Sequence, residues 1–223
     1  MMPDYDLHHG DCLDIMAGLD LSHVDAVLCD PPYGCAEDTN RARFTAGPGM
    51  TGPASTMSHD TITGDDAPFN PTHLLTYPKV IIWGYQFFAD KLPQGTINVW
   101  QKKSSNALGK FLSDGELAWQ KGGKGVYIYE HQWNGFWRDS EHETRGKPLH
   151  PTQKPVVLMR WCLDRLKLEP GATVLDPYMG SGPVGVACAE AGFKYIGIEI
   201  EEDYYKIAKS RIKAAYEQTS LFT

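Results

Sequence analysis

The motif Asp30-Pro31-Pro32-Tyr33-Gly34 combines residue types that could bind an amino group on a flat base, and it directly follows an apolar run, residues 24–29, that predicts a buried strand. Asp30 can accept a hydrogen bond from the amine. The carbonyl of Pro31 can accept another, since neither proline has an N–H that would compete. These bonds favour a tetrahedral nitrogen with a free lone pair, and Tyr33 can stack on a base that has left its helix. The alternative is a tight Pro-Pro turn in which Asp30 is only a cap.

A glycine-rich loop, residues 176–182, follows a second predicted strand and fits G-x-G-x-x-G through Gly185, with Glu199 at the end of the next predicted strand. This pattern would permit a dinucleotide site in an oxidoreductase, or only tight helix–strand packing. Pro183 disfavours the dinucleotide, because it removes an N–H where a pyrophosphate would need one. Asp176 would repel a phosphate but suits an ammonium or sulfonium group. S-adenosylmethionine carries both cations, and Glu199 could accept hydrogen bonds from its ribose hydroxyls.

Strands and helices alternate along the chain with short connections, which predicts an α/β fold with a doubly wound, mostly parallel sheet. Strands are predicted at 4–8, 24–29, 79–83, 96–100, 173–175 and 195–198, and helices at 13–19, 85–91, 155–168, 183–191 and 202–216. Alternating aromatic and polar residues at 117–137 predict antiparallel strands or a hairpin. Residues 37–59 are rich in Gly, Thr, Ser and Pro, which predicts a mobile loop beside the site.

Length and charge narrow the class of protein. The chain has 223 residues, which predicts a single domain, and a net charge of −7 that argues mildly against a nucleic-acid partner. The lysines are uneven, however: residues 1–40 contain none, whereas residues 101–125 contain five against two acids. A basic middle between acidic flanks suits an enzyme that binds DNA with one face. A solvated lysine-rich surface would give the same charge distribution along the chain.

The cysteines indicate the compartment and argue against a metal site. The five cysteines are odd in number and include no C-x-x-C pair, so we expect reduced thiols in a cytoplasmic protein. Cys29, Cys35 and nearby histidines have the wrong spacing for a known zinc site, and no metal is predicted. No apolar run approaches the roughly 18 residues that span a bilayer.

Both motifs resemble those of the amino-methylating DNA methyltransferases. Residues 30–33 resemble the catalytic motif Asp/Asn/Ser-Pro-Pro-Tyr/Phe, and residues 176–182 resemble the cofactor loop. The segment His150-Pro151-Thr152-Gln153-Lys154-Pro155 is similar to the one that precedes this loop in the beta class, where the catalytic motif comes first. Enzymes that methylate protein glutamine have the glycine loop first, so the order separates this chain from them.

The resemblance implies a Rossmann-like, S-adenosylmethionine-dependent fold and transfer of a methyl group to DNA. In this class Asp-Pro-Pro-Tyr usually accompanies adenine N6 methylation and Ser-Pro-Pro-Tyr cytosine N4, so adenine is expected. The alternatives are a cytosine-N4 enzyme, an RNA methyltransferase, or a catalytically silent subunit that binds S-adenosylmethionine and DNA. Restriction-modification enzymes and homodimers are common in this class, and both are expectations here.

The candidate site residues fall into three groups. The catalytic candidates are Asp30, Pro31, Pro32 and Tyr33. The cofactor candidates, of which Thr152 and Lys154 would lie near the methionine end and Asp11 and Cys12 near the adenine, are Asp11, Cys12, Thr152, Lys154, Asp176, Tyr178, Gly180, Ser181, Gly182 and Glu199. The alternative for Asp11 and Cys12 is an ordinary turn.

The DNA-binding candidates lie in an inserted target-recognition region predicted at residues 98–147. They are Lys102, Lys103, Trp133, Asn134 and Arg138. The lysines suit phosphates, Asn134 suits adenine, Arg138 suits guanine or phosphate, and Trp133 could stack or wedge. A tryptophan is also an ordinary core residue.

Overall fold

The computed structural model describes residues 4–34, 64–109, 113–134, 137–138 and 153–220, with backbone alone at 134, 137, 138 and 220. The predicted mobile loop at 37–59, Cys35 and Thr152 lie outside the described residues. The predictions made for them therefore stay predictions.

A seven-stranded sheet forms the centre of the protein. Its strands are β1 (Tyr5–His9), β2 (Ala26–Cys29), β3 (Lys79–Trp83), β4 (Gly95–Gln101), β5 (Gly115–Glu130), β8 (Thr173–Asp176) and β9 (Lys194–Glu199). Two further strands, β6 (Trp133–Asn134) and β7 (Trp137–Arg138), form a separate antiparallel ladder. The order in the sheet is β1-β9-β8-β2-β3-β5-β4. The first five strands in that order are parallel to one another, whereas β3 and β5 are antiparallel. The predicted mostly parallel sheet is confirmed.

Helices cover both faces of this sheet. They are α1 (Cys12–Gly18), α2 (Tyr85–Phe88), α3 (Val156–Leu166), α4 (Pro183–Ala191) and α5 (Glu202–Ser220). Short 3₁₀ turns lie at Pro71–Leu74, Ala89–Lys91 and Ser105–Ala107. One apolar core includes α3, α4 and α5, and a second core includes α1, α2 and the turn at Pro71–Leu74. Strands β2 and β8 are fully buried between these layers, which explains their continuous apolar runs.

The region predicted as antiparallel strands or a hairpin does contain antiparallel pairs, β3 with β5 and β6 with β7, but β5 does not form a simple hairpin. Strand β5 turns back at Gly122 and Gly123, whose φ angles are +82° and +68°. Asn98 of β4 pairs with both Ala118 and Tyr127, and the other β4 residues from Ile97 onward also have partners in both arms. Strand β4 therefore lies between the two arms, antiparallel to the first and parallel to the second by register.

Several predicted boundaries shift slightly. Pro155 is the N-cap of α3 and not its first residue, since its ψ of 140° is extended. The helix ends at Leu166, before Lys167, whose φ is +48°. The helix predicted at 85–91 divides into α2 and a 3₁₀ turn, and α5 continues to Ser220. Among the described residues, no helix is long and apolar enough to cross a membrane.

Candidate active site

Three acidic residues lie at one edge of the sheet. Asp30 follows β2, Asp176 ends β8 and Glu199 ends β9, and these strands are parallel neighbours in the sheet. The C-terminal ends of parallel strands share one edge, and ligands of open α/β sheets bind there. The structure therefore brings the predicted catalytic motif, residues 30–33 (the catalytic corner), and the predicted cofactor loop, residues 176–182, to the same edge of the sheet.

Both carboxylate oxygens of Asp30 are engaged. The hydroxyl of Tyr33 donates to Asp30 Oδ1 at 2.5 Å, and the Lys154 ammonium is 2.5 Å from Oδ2. Lys154 also donates to the Tyr33 hydroxyl at 3.2 Å and lies over the Trp83 ring. Lys154, a cofactor candidate from the resemblance, thus contacts the catalytic corner directly.

The protonation of this corner follows from these contacts. Burial opposes the charge of Lys154, but Asp30 and Tyr33 outweigh that cost and raise the pKa of Lys154, which stays an ammonium. Burial, with the negative charge of Asp30, raises the pKa of Tyr33, so its hydroxyl stays a neutral donor. Asp30 is consequently held between two donors in a fixed orientation.

Three residues that the sequence did not single out shape the corner. Phe87 stacks on Tyr33 with ring centroids 4.8 Å apart and an interplanar angle of 15°. Gly84 has a φ of +88°, and a Cβ there would lie 2.2 Å from the Tyr33 ring, so only glycine lets the two segments approach. The carboxylate of Asp65, which is buried, accepts from the backbone N–H of Gly34 at 2.7 Å. The corner is therefore fixed from β2, α2 and residue 65 together.

A second carboxylate, that of Glu116 in the first arm of β5, reaches the same ammonium. Glu116 Oε2 is 2.9 Å from Lys154 Nζ, and Glu116 Oε1 binds Lys102. Sequence reasoning missed Glu116, because it is one acid in a lysine-rich stretch with no motif around it. Only the fold brings it beside Lys154.

The glycine loop is held tightly from two sides. Glu199 Oε2 accepts from Gly180 N at 2.7 Å, and Arg211 of α5 donates to the Ser181 carbonyl at 2.5 Å. A Cβ on Gly182, where φ is +80°, would lie 3.0 Å from Ile212 Cδ1 and 3.1 Å from Ala208 Cβ. The loop backbone thus stays close to α5.

Asp176 is the most unusual group of the site. It is 1% exposed, and it accepts from Tyr178 N and from the Tyr195 hydroxyl, each at 3.2 Å. Burial, reinforced by the charges of Asp30 and Glu199, raises the pKa of Asp176 to about 8. None of the main causes of that shift is a neighbouring cation among the described residues. A buried carboxylate in this state fits a ligand that brings its own cation, as S-adenosylmethionine does.

The remaining cofactor candidates lie on the other side of the loop. Asp11 caps α1 by accepting from Leu13 N at 2.8 Å and Asp14 N at 3.2 Å, in keeping with the ordinary-turn alternative. Cys12 lies beside Tyr178, whose hydroxyl is 3.2 Å from Nε2 of His73. His73 had no motif that could have revealed it.

The DNA-binding candidates differ in exposure. Lys102 is paired with Glu116, and Lys103 is 4% exposed and 2.9 Å from Asp114, so a phosphate could reach either ammonium only if its ion pair rearranged. Trp133 is 8% exposed and packs in the first core, which favours the core alternative. For Asn134 and Arg138 the structure gives only their positions in the β6–β7 ladder.

The comparison with protein families decides the identity. The family model described as DNA methylase, for N6 and N4 amino methylation, matches residues 84–210, more than half of the chain. The chain belongs to this DNA methylase family. S-adenosylmethionine is the methyl donor of the family, and the amino-methyltransferase resemblance seen in the two motifs is confirmed at the level of the family.

Similar proteins agree with this assignment. This DNA methylase is 26% identical to YubD of Escherichia coli (strain K12), named as a methylase, over 92% of this chain and 88% of that protein. It is 40% identical to the type II methyltransferase M2.DpnII of Streptococcus pneumoniae, over 38% of this chain. That match covers only 31% of M2.DpnII.

Solved structures share the fold. The M1.HpyAVI complex with S-adenosylmethionine has a TM-score of 0.53 and 20% identity, covering 93% of this chain and 98% of that one. TTHA0409 of Thermus thermophilus with S-adenosylmethionine has a TM-score of 0.54 and 17% identity, covering 94% and 95%. PvuII DNA methyltransferase, described as cytosine-N4-specific, has a TM-score of 0.55 and 12% identity, covering 98% and 93%. The predicted methyltransferase fold is confirmed.

Proposed function

We propose that this DNA methylase transfers a methyl group from S-adenosylmethionine to the N6 amino group of adenine at specific DNA sites. One observation carries the proposal: Asp30 stands at the same sheet edge as Asp176 and Glu199, on neighbouring parallel strands. An acceptor for the amine therefore lies at the same sheet edge as a buried acid that suits a cationic cofactor. Direct transfer between two bound groups draws on proximity and orientation.

In this proposal the catalytic corner prepares the amine. Asp30 and the carbonyl of Pro31 accept hydrogen bonds from its two N–H groups, and Pro32 fixes the turn. Asp30 also stabilises the positive charge that develops on the nitrogen, while the amine loses its proton late. Tyr33 already stacks on Phe87, so a flipped adenine would extend an existing aromatic stack.

The cofactor residues lie around the glycine loop. S-adenosylmethionine supplies an electrophilic methyl group on a sulfonium when it is bound. Asp176 would pair with its ammonium and Glu199 would accept from its ribose hydroxyls. We assign the same pocket to the other cofactor candidates, which are Asp11, Cys12, Thr152, Lys154, Tyr178, Gly180, Ser181 and Gly182.

The choice of adenine rests on the first residue of the catalytic motif. Asp30 occupies the position where the class usually has aspartate in enzymes that methylate adenine and serine in enzymes that methylate cytosine. The fold cannot discriminate the two bases, because PvuII DNA methyltransferase has the same fold and is described as cytosine-N4-specific.

DNA recognition is assigned to one part of a single methyltransferase domain. We propose that residues 98–147 form the target-recognition region and that residues 37–59 form a loop beside the site. Lys102, Lys103, Asn134 and Arg138 are the proposed contacts, and Trp133 would support them from the core. A homodimer is also proposed, on the sole ground that homodimers are common in this class.

One incubation tests the function. The protein is mixed with unmethylated DNA and S-adenosylmethionine carrying a labelled methyl group, and the digested nucleosides are separated. Label in N6-methyladenine is expected. Label in N4-methylcytosine would establish the alternative base, and absence of label from DNA would favour a silent subunit. A matched RNA in a parallel incubation should remain unlabelled.

A further inference from the structure

One buried ammonium at the site is shared by two carboxylates. Lys154 Nζ is 2.5 Å from Asp30 Oδ2 and 2.9 Å from Glu116 Oε2, and the Lys154 side chain is only 5% exposed. The second oxygen of Glu116 binds Lys102. Ammonium and carboxylate groups therefore alternate from Lys102 to Asp30, and the four charges balance.

The sheet fixes Glu116 in this position. It lies in the first arm of β5, where its backbone pairs with Trp100 of β4. Lys102 follows β4 and lies 4.8 Å from the Trp100 ring centroid. Because Glu116 lies within β5 and Lys102 directly follows the adjacent strand β4, the carboxylate reaches Lys154 from the sheet and not from a loop.

The charge balance bears on the reaction. Positive charge develops on the target nitrogen next to Asp30, and the Lys154 ammonium on that same carboxylate opposes it. In a buried site a unit charge acts over several ångströms with little screening. Without the Glu116 carboxylate, the four-residue group would carry one uncompensated positive charge beside the reacting amine.

We propose that Glu116 is a positioning residue of the methyl transfer that acts through Lys154. Glu116 compensates part of the positive charge of the Lys154 ammonium. Asp30 can then accept hydrogen bonds from the amine and stabilise the positive charge that develops on the amine nitrogen. This role rests on the proposed function and adds a residue that neither motif contains.

The first test compares Glu116→Gln with Glu190→Gln, the same change at an exposed residue of α4. In single-turnover transfer at saturating DNA and cofactor, Glu116→Gln should be slower by roughly 10- to 100-fold, the size expected for a unit charge at an effective dielectric constant of about 20. Glu190→Gln should match the wild type, and Glu116→Asp should recover part of the rate. A wild-type rate for Glu116→Gln would overturn the proposal.

A double variant separates this role from a merely structural one. If Glu116 acts through Lys154, then adding Glu116→Gln to Lys154→Gln should slow transfer little beyond Lys154→Gln alone. A full, additive loss in that background would contradict the proposed route.

A binding measurement gives a readout that does not depend on the base. S-adenosylmethionine carries a sulfonium cation that S-adenosylhomocysteine lacks, and both keep the ammonium. Calorimetry should show that Glu116→Gln weakens binding of S-adenosylmethionine several-fold more than binding of S-adenosylhomocysteine. An unchanged ratio of the two Kd values would overturn the role of Glu116. Failure of the wild type to methylate adenine would instead overturn the proposed base and leave this ratio decisive.

Discussion

Two carboxylates at the ends of neighbouring strands have opposite surroundings. Asp30, after β2, has a 23% exposed side chain and is paired with the Lys154 ammonium and the Tyr33 hydroxyl. Asp176, at the end of β8, is 1% exposed and has Tyr195 and a backbone N–H as donors. By the register of these parallel strands, Asp30 lies two residues beyond the level of Asp176, and different groups pack around each carboxylate.

This difference matches two chemical tasks. The charge of Asp30 is already compensated by Lys154. This carboxylate can therefore accept hydrogen bonds from a neutral amine and does not need a cationic ligand. Burial raises the pKa of Asp176 to about 8, so a cationic ligand would stabilise the charged form of this carboxylate. The β2 corner therefore suits the target base, and the β8 loop suits the cofactor.

The largest expected effect comes from removing the first carboxylate. Asp30→Ala takes away the acceptor and the charge beside the reacting nitrogen, so transfer should fall by at least about 10²–10³-fold. The measurement is single-turnover transfer of labelled methyl groups, with the unfolding temperature of the variant checked beside it. Retention of more than a tenth of the wild-type rate by a folded variant would show that Asp30 does not prepare the amine.

Removing the second carboxylate should act on a different quantity. Asp176→Asn keeps the shape but loses the charge, so the Kd for S-adenosylmethionine should rise roughly 10- to 100-fold, as expected for one charge-assisted hydrogen bond. Calorimetry measures it. An unchanged Kd would mean that the cationic end of the cofactor binds elsewhere.

The hydroxyl of Tyr33 should contribute less than either carboxylate. Tyr33→Phe keeps the ring that stacks on Phe87 but removes the bond to Asp30, so transfer should slow by about tenfold. Tyr33→Ala, which also removes the ring, should be slower still. Equal rates for the two variants would indicate that stacking has no role.

The last predicted effect is on stability and depends on pH. Asp176 has a pKa of about 8 in the folded protein against an ordinary 3.8, so between these values the folded state holds a proton that the unfolded chain has released. The contribution of Asp176 to the free energy of unfolding should therefore fall as pH rises through this window, by at most about 1.4 kcal/mol per pH unit. Denaturant unfolding of wild type and Asp176→Asn from pH 5 to 8.5 should show the wild type losing stability relative to the variant. Parallel curves would place the pKa of Asp176 near its ordinary value.

Much of this site follows from local sequence. Apolar runs before Asp30, Asp176 and Glu199 predict strands, and parallel strands must end at one edge, so the meeting of the three acids was predictable. The positions needing positive φ at Gly180 and Gly182 were also marked by the residue type.

The rest depends on contacts between distant segments. Glu116 reaches Lys154 because β5 folds around β4, and no residue pattern specifies that a strand will enter between the two arms. Asp65 and Phe87 support the corner by single contacts of ordinary residue types. The burial of Lys103 and Trp133 likewise reflects packing, which a basic or aromatic stretch does not reveal.

Titration of S-adenosylhomocysteine into Asp30→Ala protein tests the division between the two corners most directly. This ligand keeps the ammonium but has no sulfonium, so its binding should depend mainly on Asp176 and only weakly on the charge removed at residue 30. The account predicts a Kd within about threefold of the wild type, beside a large loss for Asp176→Asn. An equal loss of affinity in both variants would contradict it, because amine and cofactor would then depend on the same carboxylate.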